Sequence, residues 1–152
     1  MVGVDIVPAA IVACHLRIEA LTHKDAEQAR RKCQFTLGDI FQLPDDFCAS
    51  FDLLYDCQTF HALVRTAPQV ASIMVSCLKP GGYLLLLTGN ASEPEVGPTT
   101  LSENEILIAF SELQCVWRYG DSRFDMTEFY RQLVQPPLAW CFLFRKAPTH
   151  CA

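Results

Sequence analysis

Short apolar runs alternate with amphipathic stretches along this chain. Met1–Ile6 (MVGVDI) is apolar and β-branched and ends beside an acid, the pattern of a buried parallel strand with a carboxylate at its carboxyl end. Pro8 suits the first turn of a helix, and Ala9, Ala10, Ile11, Ala13, Cys14 and Ile18 give that helix a small-residue face. Thr22–Arg31 is polar, with Asp25 and Glu27 early and Arg30, Arg31 and Lys32 late, the charge order that complements a helix dipole. Cys33–Leu37 predicts a second strand and Phe51–Tyr55 a third, ending at Asp56. Pro68–Leu78 predicts an amphipathic helix, with Val70, Ile73, Met74 and Cys77 at helical spacing. Lys79–Gly82 (KPGG) is a turn signal, and the wholly apolar Tyr83–Leu87 predicts a central strand covered on both faces. Ser102 and Glu105 form a capping box ahead of Ile106, Leu107, Ala109, Phe110 and Leu113. Residues 114–125 predict a strand that pairs with a last apolar strand, Leu138–Phe144. This alternation predicts a layered α/β sheet within one domain over residues 1–152, with no internal repeat and no linker.

Composition narrows the classes. Of 152 residues, 51% are hydrophobic and 19% charged, too apolar for a disordered segment. The formal net charge of −5 supplies no basic surface for nucleic acid or an anionic membrane. The uncharged run that ends at Ser92 contains Thr88, Gly89 and Asn90 and falls short of the roughly 20 apolar residues that span a bilayer. Met1–Ile6 carries an acid and no basic region, unlike a signal peptide, so a cytoplasmic location is expected and the eight cysteines read as reduced thiols. No pair has C-x-x-C spacing, so no metal site is expected.

The candidate chemistry sits at strand ends. Ligands of doubly wound sheets bind outside the carboxyl ends of the strands. Asp5, Asp39 and Asp56 follow the first three strands, and their spacing predicts all three on one rim of the sheet. One such carboxylate can accept from both ribose hydroxyls and another from an adenine amino group, which points to an adenosine-type ligand.

On these residues the chain resembles the class I S-adenosylmethionine-dependent methyltransferases. VGVDI followed by a helix, FTLGDIFQLP, FDLLYD and LKPGGYLLLL look like their consecutive motifs. DCQTFHAL at Asp56–Leu63, GPTTLSENEI at Gly97–Ile106 and PPLAWCFLFRK at Pro136–Lys146 resemble the thiopurine, thiol and halide methyltransferase branch. The resemblance implies a Rossmann-like sheet, mostly parallel with an antiparallel C-terminal strand, and S-adenosylmethionine as cofactor. It implies that Asp5 binds the cofactor ribose, that Ile6 packs on adenine, and that Asp39 faces the adenine amine with Ile40 and Phe41 beside the ring. Asp56 and Cys57 would lie near the methionine portion. Gln58, Phe60 and His61 would face a small methyl acceptor, with His61 as base or orienting group and Gly97 and Pro98 in a lid. Cys57 reads as packing, its thiol raised by the adjacent carboxylate. Phe60, Trp117 and Trp140 read as core or pocket wall.

One departure stands out. The family's first strand and Gly-rich turn have no counterpart, and the chain starts at what would be the second strand, so it is expected to be an N-terminally truncated domain. The absent strand would lie between those ending at Asp5 and Asp56. Either those two strands pair directly, or their open edges invite self-association or a partner strand. The truncated form is expected to hold the cofactor more weakly. The alternative is a non-catalytic short isoform that binds a protein partner. A nucleotide-dependent oxidoreductase also fits Asp5 but is opposed by the GDIF and LKPGG pair.

Overall fold

The computed structural model describes residues 1–22, 26–93, 99–125 and 128–148, and the chain divides into two compact units, Met1–Pro44 and Asp45–Ala152. The first unit contains β1 (Val2–Asp5), α1 (Pro8–Glu19), α2 (Ala26–Lys32) and β2 (Gln34–Leu37). β1 and β2 pair in parallel with Asp5 opposite Leu37. Pro8 occupies the first turn of α1, where its missing N–H costs nothing. Ile11, Cys14 and Ile18 form the half-buried face of α1, and His15 meets the Phe35 ring edge-on at 5.4 Å. The Arg30 guanidinium donates to the carbonyls of Glu19 and Leu21 at 2.8 and 2.7 Å, so α2 is tied to the carbonyl end of α1.

The second unit contains β3 (Phe51–Cys57), α3 (Thr59–Leu63), α4 (Val70–Cys77), β4 (Leu78–Asn90), β5 (Thr100–Leu101), α5 (Glu103–Ala109), β6 (Leu113–Arg123), α6 (Glu128–Arg131) and β7 (Leu138–Lys146). Its sheet runs β3-β4-β7-β6, with β5 added beside the end of β4. β3 and β5 are parallel to β4, while β7 is antiparallel to both β4 and β6. This is the expected α/β class, with parallel strands first and antiparallel strands last. Within its unit β1 pairs with β2, and within the other β3 pairs with β4.

Three boundaries differ from expectation. β4 begins at Leu78, ahead of the KPGG turn. The turn is taken up inside the ladder, where Phe51 opposes Leu78 but Leu53 already opposes Tyr83. Gly81 makes that bulge possible at φ +81°, a region open to glycine. The short helix α3 follows β3 directly, and no periodicity announced it. The strand β3 is also entered and left through left-handed non-glycine residues, Ala49 at φ 48° and Gln58 at φ 76°.

The larger part of the core lies on one face of the second sheet. Leu84, Leu86 and Thr88 of β4 and Phe142 and Phe144 of β7 point to it and are fully buried. Phe110, at the end of α5, sits 5.3 Å from Phe144 and 4.8 Å from Phe60 of α3. Val70, Met74 and Cys77 of α4 complete it. Ser102 caps α5 in the expected reciprocal box, its Oγ accepting from Glu105 N–H at 3.2 Å and its N–H donating to Glu105 at 2.7 Å. Among the described residues no helix is long and apolar enough to cross a membrane.

Gly120 lies under the Trp140 ring so closely that an added Cβ would collide with it. Gly120→Ala should therefore displace the indole, whose Nε1 donates to Leu101 at 3.1 Å. A loss of about 1–3 kcal/mol, the usual cost of overpacking, is expected in urea denaturation followed by tryptophan fluorescence.

Candidate functional site

In the first unit, parallel pairing brings two carboxylates to one end of the sheet. Asp5 closes β1, and its carbonyl accepts from Gly38 N–H at 3.0 Å. Asp39 follows one residue later on the β2 side. Each carboxylate is oriented by an amide two residues on: Val7 N–H donates to Asp5 Oδ1 at 2.8 Å and Phe41 N–H to Asp39 Oδ1 at 2.9 Å. Asp39 thereby caps the short 3-10 turn Ile40–Gln42. Asp5 is exposed and Asp39 and Ile40 are half-buried, while Ile6 and Phe41 present apolar surface to solvent. Two oriented carboxylates beside apolar side chains fit the adenosyl half of a nucleoside ligand.

The second unit carries a different arrangement at the carboxyl ends of β3 and β4. Asp56 is almost wholly buried, and its Oδ2 accepts from Phe60 N–H at 3.1 Å across the first turn of α3. Burial pushes this carboxyl above its ordinary value, against the hydrogen bonds from Phe60 and Thr59 that pull it down. Gln58 bridges strand and helix in the left-handed region at φ 76°, ψ −2°, and its N–H reaches the Leu87 carbonyl at 3.3 Å. A non-glycine residue there carries strain of order 1–3 kcal/mol, a condition that clusters at functional sites.

His61, one turn into α3, is buried against the end of β4. Gly89 N–H donates to its Nδ1 at 3.1 Å, and Thr88 Oγ1 lies 3.1 Å from the same nitrogen. An Nδ1 that accepts an amide hydrogen cannot carry its own proton, so neutral His61 holds it on Nε2. Burial lowers its pKa to about 4. This corrects the expectation of a base: the lone pair faces the backbone, and what the ring offers is an N–H donor. Phe60 is fully buried against Phe110, which bears out its reading as core and leaves no surface of the ring to face an acceptor. Trp140 is half-buried as expected, but Trp117 is half-exposed on β6.

Cys57 is half-buried, and desolvation raises its thiol first, Asp56 adding to the effect while the Tyr55 hydroxyl opposes it. The Tyr55 phenol is raised by partial desolvation and by Cys57, although the residue is more than half exposed. Gly97 and Pro98 lie outside the described residues. Among the described residues no group of His, Cys, Asp and Glu forms a metal cluster.

Two further groups had little sequence signal. Asn90 is buried, its Nδ2 donating to Gly120 at 2.8 Å and its Oδ1 accepting from Ser92 N–H at 2.9 Å. The Arg123 guanidinium holds Glu93 with a shortest contact of 2.9 Å, and Glu93 also accepts from Leu138 N–H at 2.8 Å. These contacts hold the Glu93 carboxyl below its ordinary value. The polar break at Thr88–Asn90 after an apolar strand was the one visible clue to the first group.

Parallel strands with acids at their carboxyl ends, followed by antiparallel strands, make a Rossmann-like α/β pattern. The family model "Methyltransferase domain" matches residues 1–129, and the chain belongs to that family. A SAM-dependent methyltransferase from Methanosarcina mazei is 16% identical, with 97% of this chain and 82% of that one covered at TM-score 0.69. The N-methyltransferase NodS from Bradyrhizobium japonicum, in complex with S-adenosyl-L-homocysteine, is 20% identical over 95% of this chain and 65% of its own length, at TM-score 0.66. A Burkholderia thailandensis 1,6-didemethyltoxoflavin-N1-methyltransferase, with that substrate and S-adenosylhomocysteine bound, is 14% identical over 96% and 60%, at TM-score 0.62. No curated protein matches significantly.

The burial of His61 sets a pH dependence. Its folded pKa lies below the unfolded 6.5, so its stabilising contribution is full above pH 6.5 and is lost as pH falls toward about 4. Between those limits it should cost about 1.4 kcal/mol per pH unit. Urea titrations of wild type and His61→Gln at several pH values should differ in slope within that window and nowhere above it.

Proposed function

We propose that this chain serves methyl transfer from S-adenosylmethionine to a small, soft nucleophile of the thiol, thiopurine or halide type. Asp5 and Asp39 hold the ribose hydroxyls and the adenine amine, and Ile6, Ile40 and Phe41 line the ring. When bound, the cofactor supplies a methyl group activated at a sulfonium centre. The observation that carries the acceptor class is the state of His61. Its lone pair is engaged by Gly89 N–H, and Asp56 is engaged in the first turn of α3. Neither side chain is placed to take a proton from an acceptor. An acceptor that arrives already nucleophilic, such as a thiolate, needs only alignment with the methyl carbon. His61 Nε2–H and the Gln58 amide orient it.

Isothermal titration with S-adenosylhomocysteine tests the cofactor assignment. Asp5→Ala should weaken binding about 10- to 100-fold, the loss of hydrogen bonds to a charged group. In a thiol acceptor series, the pH–rate inflection should follow each acceptor's own pKa. An inflection fixed across the series would indicate a protein base and overturn the acceptor class. Among the described residues β1 and β3 each have one ladder partner, which favours a second reading, a binding module that takes up a partner strand. Absence of S-adenosylhomocysteine binding up to about millimolar concentration would select it.

A further inference from the structure

Helices α3, α4 and α5 cover one side of the second sheet, and among the described residues the other side is covered at one end only. Pleating sends Leu84, Leu86, Phe142 and Phe144 toward the helices, and Arg118 of β6 joins that side through its 2.6 Å ion pair with Glu103 of α5. The alternate residues therefore share the opposite face. The ladder aligns them across all four strands: Leu53 opposes Tyr83 and Tyr55 opposes Leu85, while Trp117 opposes Leu143 and Tyr119 opposes Cys141. At the upper end Phe124 and Tyr130 pack over Leu87, Cys57 and Cys141. Below that, Leu53, Tyr55, Trp117 and Tyr119 remain 58%, 56%, 50% and 48% exposed. The outer strands thus raise two aliphatic–aromatic ridges, with the Trp117 and Tyr119 rings stacked at 6.2 Å, beside a half-buried middle.

We propose that this face is an isologous interface, occupied by the same face of a second copy of this chain. Size is the first argument. Each half-exposed large side chain offers about 100 Å². With its half-buried neighbours the face reaches about 600 Å², most of the ~800 Å² per partner of a standard interface. Chemistry is the second. Arg145 lies on this face, its guanidinium 5.5 Å over the Tyr83 ring. A lipid surface would call for basic residues around the patch, whereas the chain carries a net charge of −5. Two such faces pack as a sheet sandwich about 10 Å apart.

Sedimentation velocity of the whole chain, from about 1 to about 100 µM, tests this. Wild type is expected to dimerise in that range. Leu53→Glu and Trp117→Glu, each placing a carboxylate in the face, should raise the dimer dissociation constant at least about tenfold. Ile108→Glu, at an exposed position on α5 on the covered side, should leave it unchanged. Circular dichroism melts confirm that all three variants remain folded. A wild-type chain that stays monomeric throughout overturns the proposal, as does a dimer that survives both face substitutions or that Ile108→Glu dissolves.

Discussion

The register of β4 against its two neighbours governs the second unit. Leu87 stands between Cys57 of β3 and Cys141 of β7 in one continuous row. Side chains alternate with a period of two, so a slip of one residue would exchange every inward and outward position. Leu84, Leu86 and Thr88 would leave the covered face, and His61 would lose its contact with Thr88. The phenylalanine cluster of Phe60, Phe110, Phe142 and Phe144 rewards only one of the two registers. Packing and site chemistry therefore have the same origin: the alignment that buries the apolar side chains also places the Gly89 amide against the imidazole.

Three aspartates with similar sequence settings have been given unlike environments. Asp5 and Asp39 each use one oxygen on a neighbouring amide and remain open to varying degrees. Asp56 is buried and turned onto the start of α3. A carboxylate near water keeps hydrogen-bonding capacity for a ligand, whereas a buried one is already saturated by the turn it stabilises. Asp5 and Asp39 keep free carboxylate oxygens at the end of the first unit's sheet, and the geometry of the β3–α3 corner rests on the buried acid.

What the sequence made legible follows from how local each signal is. The Pro8 helix start, the Ser102–Glu105 box and the apolar run of β7 are written within a few residues, and each formed as read. The parallel-then-antiparallel sheet followed from the same runs. Less visible were features decided across the chain. Five residues of α3 are too short for periodicity, and the helix is held by Asp56 and by packing against Phe110. The KPGG turn became a bulge because β3 continues the ladder beyond it. His61 and Phe60 lie in one short helix, yet burial alone separates a ring that keeps a polar role from one that joins the core. Trp117 is half-exposed because the described residues that cover that side of the sheet, Phe124 and Tyr130, pack at its other end over Leu87, a matter of topology that composition does not reveal.

The two left-handed corners at Ala49 and Gln58 give β3 a fixed span. Each corner needs its own backbone twist, and neither residue is a glycine that could share the adjustment with a neighbour. Ala49 and Ser50 are also pinned to the carbonyls of Ser76 and Cys77, and Gln58 to that of Leu87. The strand behaves as a strut cut to length between two clamps. A residue added or removed within it has no slack at either end to absorb the change, so variation in this part of the chain is confined to exchanging side chains, while differences in length must be accommodated elsewhere.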